Sequence, residues 1–280
     1  MNLATRLFLA GLAACVMAAT ASAADMIGNC ELTGVKGSIP IAAPAVPGQL
    51  TVAVSLPAPV WWNGNTPDTI KDGMEYCLAA EVAWRAGYDK LKVVAVDFVP
   101  LVSGQTSGFD LALSEISITE ERKKAVDFSV PYFNSDIGVL TRADNPVDEK
   151  TIRKVTVGIQ QGTTGAAFAL DVLKVTDYNV YAERADLLKA LSDKDIQAVL
   201  TDTSITLSAE VANAGKTKVV GQYKTGEIYA AIYPKGNANN PAFDKIIQAT
   251  IDDGTMKKLS AKYLATAWGR DPAGIPYFRP

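Results

Sequence analysis

Histidine is absent from this chain of 280 residues. Its absence removes the general base that enzymes use most often and the most frequent protein ligand of zinc. An excess of one charge is also absent, because 27 basic residues face 30 acidic residues and leave a formal net charge of −3. Nothing in this balance suggests a nucleic-acid partner. No repeat of solenoid length is present, and the length suits two domains of ordinary size.

Cysteine is scarce, with three residues in all, and the first of them lies in an N-terminal apolar stretch. This stretch carries Arg6, then an apolar run, and ends in the small residues ASA. The pattern predicts an export signal at 1–23, cleaved after Ala23, and therefore a periplasmic protein. The alternative is a lipoprotein anchored through Cys15, which follows the letters LAA.

Removal of the signal leaves Cys30 and Cys77. Cys30 lies in an extension at 24–47 that is rich in Gly and Pro, and Cys77 lies in a segment with helical spacing. Because an exported protein meets an oxidising compartment, we predict a disulfide that fastens the extension to the first domain. Two free buried thiols are the alternative.

Strands and helices alternate along the body of the chain. Short β-rich runs at 50–56 and 155–159 predict strands, and helical spacing at 185–193 predicts a helix. The alternation favours an α/β fold with a mostly parallel sheet flanked by helices in each of two domains. Ligands of such sheets bind beyond the carboxyl ends of the strands, where SEISIT (114–119) and TDTS (201–204) are expected to lie.

The stretch DLALSEISITEERKKAVDFSVPYF at 110–133 resembles the signature of the family 3 solute-binding proteins of ABC importers, the polar amino acid type. The resemblance continues through VGIQQGTTG at 157–165 and DGTMKKLSAKYLATAW at 253–268. It implies a two-lobed Venus-flytrap fold of type II. It also implies a monomer without a cofactor that captures an amino acid or similar small zwitterion between its lobes. Such a protein performs no catalysis and delivers its ligand to a permease in the inner membrane.

The resemblance also implies a division of the chain into lobes joined by two crossings. The expected segments are lobe 1 at 48–141 and 229–268, lobe 2 at 142–228, and a C-terminal tail at 269–280. The crossings are expected near 140–143 and near 226–229. The N-terminal extension lies outside the resemblance.

Arg122 is a misfit in an otherwise ordinary helix start. Thr119, Glu120 and Glu121 suit a helix N-terminus, whereas a cation in the first turn opposes the helix dipole. The resemblance implies that Arg122 clamps the ligand α-carboxylate, to which a guanidinium presents parallel donors. The residues alone also permit an ordinary surface ion pair with a neighbouring acid.

The resemblance implies further ligand contacts on both lobes. Asp202 matches the acid that receives the ligand amine, so that one zwitterion between Arg122 and Asp202 would draw the lobes together. The other matching positions are Ser114, Ser117, Thr163, Thr164, Phe98, Trp61 and Trp62. The residues alone also permit helix capping by the Gly-Thr-Thr turn or by Asp202, and core packing by the tryptophans.

Glu115 departs from the family pattern, which commonly has Gly at this position. A carboxylate there could recognise a second cation, partly fill the pocket, or titrate with a shifted pKa. Gln197 and Cys77 also stand where the family usually has Asp. We therefore count Glu115 among the ligand contacts but predict no particular amino acid.

Two other functions remain open at the level of sequence. A dehydratase-like enzyme on the same scaffold would need an acid or base, for which Glu115 and Asp202 are the obvious candidates. A soluble sensory or accessory protein would bind a ligand or a partner protein. Fold alone does not separate these functions from transport.

Overall fold

The structure is a computed structural model that describes residues 24–280. The predicted signal at 1–23 and Cys15 lie outside this range. Two five-stranded sheets, each with its own helices, form two α/β lobes, which confirms the predicted fold class. Within the described range, no helix combines the length and the apolar character needed to cross a bilayer.

The elements follow one another in the alternating order that the sequence indicates. The strands are β1 (Met26–Ile27), β2 (Cys30–Glu31), β3 (Leu50–Val54), β4 (Leu91–Ala95), β5 (Leu111–Ala112), β6 (Asp127–Phe128), β7 (Phe133–Arg142), β8 (Val157–Gln160), β9 (Tyr178–Tyr181), β10 (Ala198–Asp202), β11 (Thr217–Tyr229) and β12 (Ile232–Tyr233). The helices are α1 (Met74–Arg85), α2 (Phe98–Val102), α3 (Arg122–Ala125), α4 (Thr164–Ala167), α5 (Arg184–Asp193), α6 (Thr203–Ala212), α7 (Asn240–Asp252), α8 (Thr255–Leu259) and α9 (Thr266–Trp268).

The first lobe is built on the sheet β4-β3-β5-β12-β6. Strand β3 pairs in parallel with β4 and β5, whereas β12 pairs antiparallel with β5 and β6. All five residues of β3 are buried, which is the pattern of a strand covered on both faces. Helices α1 and α7 supply part of that cover, with Leu78, Phe243 and Ile247 in the core.

The second lobe is built on the sheet β11-β7-β10-β8-β9. Strand β8 is parallel to β9 and β10, and β7 is antiparallel to β10 and β11. Leu140 pairs with both Val199 and Val219, so it lies well inside this sheet. The first change of sheet therefore comes between β6 and β7, earlier than the expected crossing near 140–143. The reason is that Ile137 and Val139 pack into the core of the second lobe.

The two passages between the sheets run side by side. Tyr132 N–H donates to the Tyr229 carbonyl at 2.9 Å, and Ile118 N–H donates to the Ile228 carbonyl at 3.0 Å. The pairing of β7 with β11 is irregular between Tyr223 and Glu227. This irregularity brings Glu227 close to the loop that follows β5.

The predicted disulfide between Cys30 and Cys77 is confirmed. The two Cα atoms are 5.3 Å apart, and the bond joins the β1–β2 hairpin to helix α1. Asn29 N–H also donates to the Lys71 carbonyl at 2.7 Å. The N-terminal extension is thus fixed to the first lobe by covalent and polar contacts.

A buried ion pair lies beside this disulfide. Arg85 Nε donates to Glu81 Oε2 at 2.9 Å, and Arg85 Nη2 donates to Asp253 Oδ2 at 2.8 Å. The second oxygen, Glu81 Oε1, accepts from the backbone N–H of Thr33 at 2.6 Å and from its hydroxyl at 2.8 Å. We call the set Thr33, Glu81, Arg85 and Asp253 the staple network, because it joins the extension, α1 and the turn after α7.

The C-terminal tail returns to the second sheet. Gln222 N–H donates to the Pro276 carbonyl at 2.9 Å, and Phe278 N–H donates to the Gln222 carbonyl at 2.8 Å. The Phe278 ring lies on Gly221, where a Cβ would come within 2.3 Å of it, so that only glycine fits. Just before the tail, Trp268 Nε1 donates to Ser208 Oγ at 3.2 Å. The chain therefore reaches the second lobe again after α7 has packed on the first.

Candidate functional site

A buried cleft lies where the two lobes face each other, beyond the carboxyl ends of β5, β8 and β10. Its lining residues are Phe98, Glu115, Ser117, Arg122, Thr163, Thr164, Arg184, Thr201, Asp202 and Ile205. Seven of the ten predicted ligand contacts thus lie together, and Ser114, Trp61 and Trp62 are not among the lining residues. The carboxyl ends of parallel strands meet at one edge, which explains why segments distant in sequence converge here.

Arg122 is the first residue of α3 and is buried in the cleft, with 8% of its surface exposed. Its Nη1 donates to the Ser117 carbonyl at 2.6 Å and its Nη2 donates to the Gly162 carbonyl at 3.0 Å. The guanidinium also lies 5.4 Å from the centre of the Phe98 ring. In the part of the chain that the structure describes, Arg122 forms no ion pair. Burial lowers the pKa of Arg122, and the negative charge of Asp202 opposes this effect. Among residues 24–280, the side-chain hydrogen bonds of this cation thus go to neutral carbonyls, while the charges of Asp202 and Glu227 act on it from nearby.

Asp202 ends β10 and stands directly before α6. Its side chain makes no capping hydrogen bond to that helix, so the capping role that the sequence permits is not adopted. Instead, Asp202 Oδ2 accepts from the Tyr229 hydroxyl at 2.5 Å. Burial raises the pKa of Asp202 to about 6, and the hydrogen bond from Tyr229 acts against that rise.

Glu115 adopts a left-handed backbone conformation with φ of 52°. This conformation favours glycine and accounts for the common Gly of the family at this position. Arg184 Nη1 lies 2.7 Å from Glu115 Oε2, but neither carboxylate oxygen has a partner with hydrogen-bond geometry. Burial raises the pKa of Glu115 to about 7, Arg184 lowers it, and Glu75 raises it further. Glu115 is therefore a buried acceptor with free capacity.

A second buried acid, Glu75, holds the backbone of this loop through a hydrogen bond. Glu75 accepts from the backbone N–H of Glu115 at 2.8 Å, from Trp62 Nε1 at 2.8 Å and from the Tyr132 hydroxyl at 2.5 Å. Trp62 thus holds Glu75, and Trp61 packs edge-on against Phe133. Both tryptophans are fully buried in the core of the first lobe. The structure places them behind the cleft, in the core role that the residues alone permit.

The hydroxyl groups of the cleft divide into two kinds. Thr163 caps α4, because its Oγ1 accepts from the Ala166 N–H at 3.1 Å. Ser114 is also structural, since its Oγ accepts from the Ser55 N–H at 3.0 Å. Ser117 and Thr164 are different, because both hydroxyls donate to a carboxylate that the sequence did not indicate.

That carboxylate belongs to Glu227 on β11. Glu227 Oε2 accepts from Ser117 Oγ at 2.5 Å and from Thr164 Oγ1 at 2.8 Å. Burial raises the pKa of Glu227 to about 7, the charge of Asp202 adds to the rise, and the two hydroxyl donors oppose it. No sequence pattern marked this position, apart from its nearness to an expected crossing.

Arg184 is the other functional candidate that the sequence analysis did not single out. It is the first residue of α5, so it opposes a helix dipole in the way that marked Arg122. Applying the same criterion along the chain would have found it. Its Nη1 also donates to the Pro57 carbonyl at 3.3 Å, and thus to the opposite lobe.

The donor set of the cleft does not suit a metal ion. Among residues 24–280, no group of three His, Cys, Asp or Glu side chains is arranged to hold one. Two arginine cations also line the cleft and would repel a metal cation. The arrangement instead offers acidic acceptors and a buried cation, which are the groups that recognise charged ends of a small organic molecule.

The sequence model of the bacterial extracellular solute-binding proteins, family 3, matches residues 50–266 of this chain. The chain belongs to this family. Among its relatives, this family 3 solute-binding protein is 27% identical over 199 residues to the arginine-binding extracellular protein ArtP of Bacillus subtilis (strain 168). The match covers 68% of this chain and 77% of that protein.

Two further comparisons agree with this membership. It is 26% identical over 196 residues to the L-cystine-binding protein TcyJ of Escherichia coli (strain K12), which covers 68% of this chain and 73% of that protein. A crystal structure of a mutant of ArgBP from T. maritima superposes with a TM-score of 0.67 at 27% identity and covers 78% of this chain and 96% of that one. A solute-binding function and the two-lobed fold follow from these matches.

Proposed function

We propose that this protein binds an amino acid or a similar small zwitterion between its lobes in the periplasm and delivers it, as a monomer, to an ABC permease. The observation that carries the proposal is Arg122, a buried cation of the first lobe that forms no direct ion pair within residues 24–280. A buried unpaired charge is costly, so such a group is expected to receive a counter-ion when it functions. A ligand carboxylate would supply that counter-ion.

The acids of the cleft support the other end of the ligand. Glu115 comes from the first lobe and Asp202 from the second, and both are buried with raised pKa values. A ligand ammonium group would donate hydrogen bonds to Asp202 and would favour its ionised form. The matched relatives are named for binding arginine and cystine, which are amino acids with an additional polar or charged portion. Glu115 is the residue that we expect to meet that additional portion.

The test is a thermal-shift screen of protein that has been unfolded and refolded to remove bound ligand. The panel contains the twenty amino acids, betaines, amines and small organic acids. A ligand that binds only the native state raises Tm by mass action. At a hundredfold excess over Kd it adds about 2.7 kcal/mol to the free energy of unfolding. We expect a shift with one group of α-amino acids and none with amines that lack a carboxylate.

Arg122→Ala provides the variant for this screen. We expect it to fold and to lose at least about tenfold in affinity, since a charge-assisted contact contributes about 1.5–3 kcal/mol. Arg122→Lys keeps the charge but lacks the paired donors, and we expect an intermediate loss. Arg279→Ala, at an exposed position, is the matched control. Unchanged affinity in Arg122→Ala would show that Arg122 does not bind the ligand carboxylate. Recovery of a chemically altered ligand would show that the protein is an enzyme and not a binding protein alone.

A further inference from the structure

One oxygen of Glu227 ties the two lobes to each other. Ser117 follows β5 in the first lobe, whereas Thr164 begins α4 in the second, and both donate to Glu227 Oε2. The two hydroxyls converge on a carboxylate, Ser117 at 2.5 Å, within the range of a charge-assisted hydrogen bond, and Thr164 at 2.8 Å, an ordinary O–H···O distance. The family resemblance implies that the same two residues contact the ligand. Glu227 therefore presents the chemical group of the ligand at the place expected for it.

The charge of the surroundings fits this position. The positive charge of Arg122 acts on Glu227 and lowers its pKa, although burial and the charge of Asp202 outweigh that effect. Glu227 thus lies in the field of the cation to which the proposed function assigns the ligand carboxylate. Two ionised carboxylates at this place would repel each other, so the ligand carboxylate competes with ionised Glu227 for it.

The opposite end of the cleft shows a parallel arrangement. Arg184 reaches from the second lobe to Glu115 and to the Pro57 carbonyl of the first lobe. A guanidinium of the protein therefore lies where a cation of the ligand would meet Glu115. Together, Glu227 and Arg184 reproduce the negative and positive ends of a zwitterion.

The size of the cleft agrees with occupation by the protein's own side chains. Water centres can reach only about 10 Å³ of it, which is close to the space needed for one water molecule. An amino acid therefore requires these side chains to move. By the same measure, a cavity of about 250 Å³, open to solvent, adjoins Glu227 on the side of the crossings and is lined by both Lys224 and Asp136. A displaced Glu227 carboxylate could enter this cavity and approach a cation there.

We propose that Glu227 acts as an internal substitute for the ligand carboxylate, which holds the lobes together before binding and which the ligand must displace. This inference rests on the proposed function for the identity of the ligand but not for the contact between the lobes. Because the ligand must displace Glu227, the Glu227 carboxylate lowers the affinity for the ligand. Removal of its carboxylate should open the cleft and strengthen ligand binding.

The first experiment measures lobe separation without any ligand. Small-angle X-ray scattering is recorded on refolded wild-type protein, on Glu227→Ala and on Glu31→Ala. Glu31 is exposed on the N-terminal hairpin, so its replacement makes the same change of charge and size away from the cleft. We expect a larger radius of gyration for Glu227→Ala alone. An unchanged radius would overturn the proposal. If Glu227→Ala fails to fold, Glu227→Met, which removes the acceptor oxygens and keeps the length of the side chain, should show the same increase.

The second experiment measures affinity for the α-amino acid identified by the screen. We expect Glu227→Ala to bind it at least about tenfold more tightly than the wild type, because two hydrogen bonds to a charged acceptor no longer oppose binding. Equal or weaker binding would overturn the proposal and leave the proposed function intact. If neither protein binds any amino acid while the radius still increases, the proposed function falls and the tie between the lobes stands.

Discussion

Two buried arginine–glutamate pairs invite comparison, one in the staple network and one in the cleft. Arg85 is 4% exposed and Arg184 is 6% exposed, so burial does not distinguish them. Their partners do. Within residues 24–280, Glu81 uses both oxygens in hydrogen bonds from Arg85 and from the N-terminal extension, whereas Glu115 uses Oε2 in the ion pair with Arg184 and leaves Oε1 without a partner. A satisfied pair fixes one conformation, and an unsatisfied pair leaves capacity for another molecule.

The two pairs also differ in what they join. The staple network lies within the first lobe, between α1, the extension and the turn after α7. The pair of Arg184 and Glu115 spans the two lobes. Opening of the cleft would hydrate the second pair and leave the first unchanged. The same chemical pair therefore contributes to the fold in one place and to a movable contact in the other.

The largest expected effect is on the staple network. Arg85→Met should lower the free energy of unfolding by about 3–5 kcal/mol, because it leaves Glu81 buried without its cation. Chemical denaturation followed by circular dichroism measures this change. Lys36→Met, at a partly exposed ion pair on the same lobe, is the control and should cost below about 1 kcal/mol. A loss as small as that of the control would show that Arg85 does not stabilise the fold.

The same substitution in the cleft sharpens the contrast. We expect Arg184→Met to change the free energy of unfolding by less than about 1 kcal/mol, since the freed Glu115 can become hydrated when the lobes separate. The radius of gyration should increase, as scattering can measure. A loss of stability as large as that of Arg85→Met would mean that the cleft pair is structural, and the distinction between the two regions would fail.

The smallest expected effect is that of pH on the closed cleft. Burial raises the pKa of Glu115 and of Glu227 to about 7 and that of Asp202 to about 6. The closed form therefore binds more protons than the open form, in which these groups regain ordinary values. By linkage, closure is favoured below that range and is lost as pH rises through about 6 to 7.

Scattering at pH 5 and pH 8 tests this effect. We expect the smaller radius of gyration at pH 5, where the repulsion of Glu115 by Glu75 and of Glu227 by Asp202 is relieved. Glu115→Gln should reduce the difference. A radius that stays constant or falls as pH rises would contradict the assigned pKa shifts.

The sequence indicated the fold and much of the cleft because these follow from local patterns. Alternating strands and helices predict the sheets, and a cation at a helix start marked Arg122. Glu227 was not predicted as part of the site because its position depends on an irregular pairing of β7 with β11, which no short pattern encodes. The tryptophans at 61 and 62 were predicted as ligand contacts but lie in the core, for a related reason. Their burial is set by contacts with Phe133 and Glu75, which are distant in sequence.

The return of the C-terminal tail to the second sheet has a mechanical consequence. Leu264 packs in the core of the first lobe, and Phe278 is hydrogen-bonded to the second sheet. The segment between them is a third strap across the joint, in addition to the two adjacent passages. Trp268 contacts both lobes within this strap. Any rotation of the lobes must therefore bend this segment or break the contacts of Trp268 with one lobe. The range of opening is thus limited by this segment as well as by the contacts in the cleft.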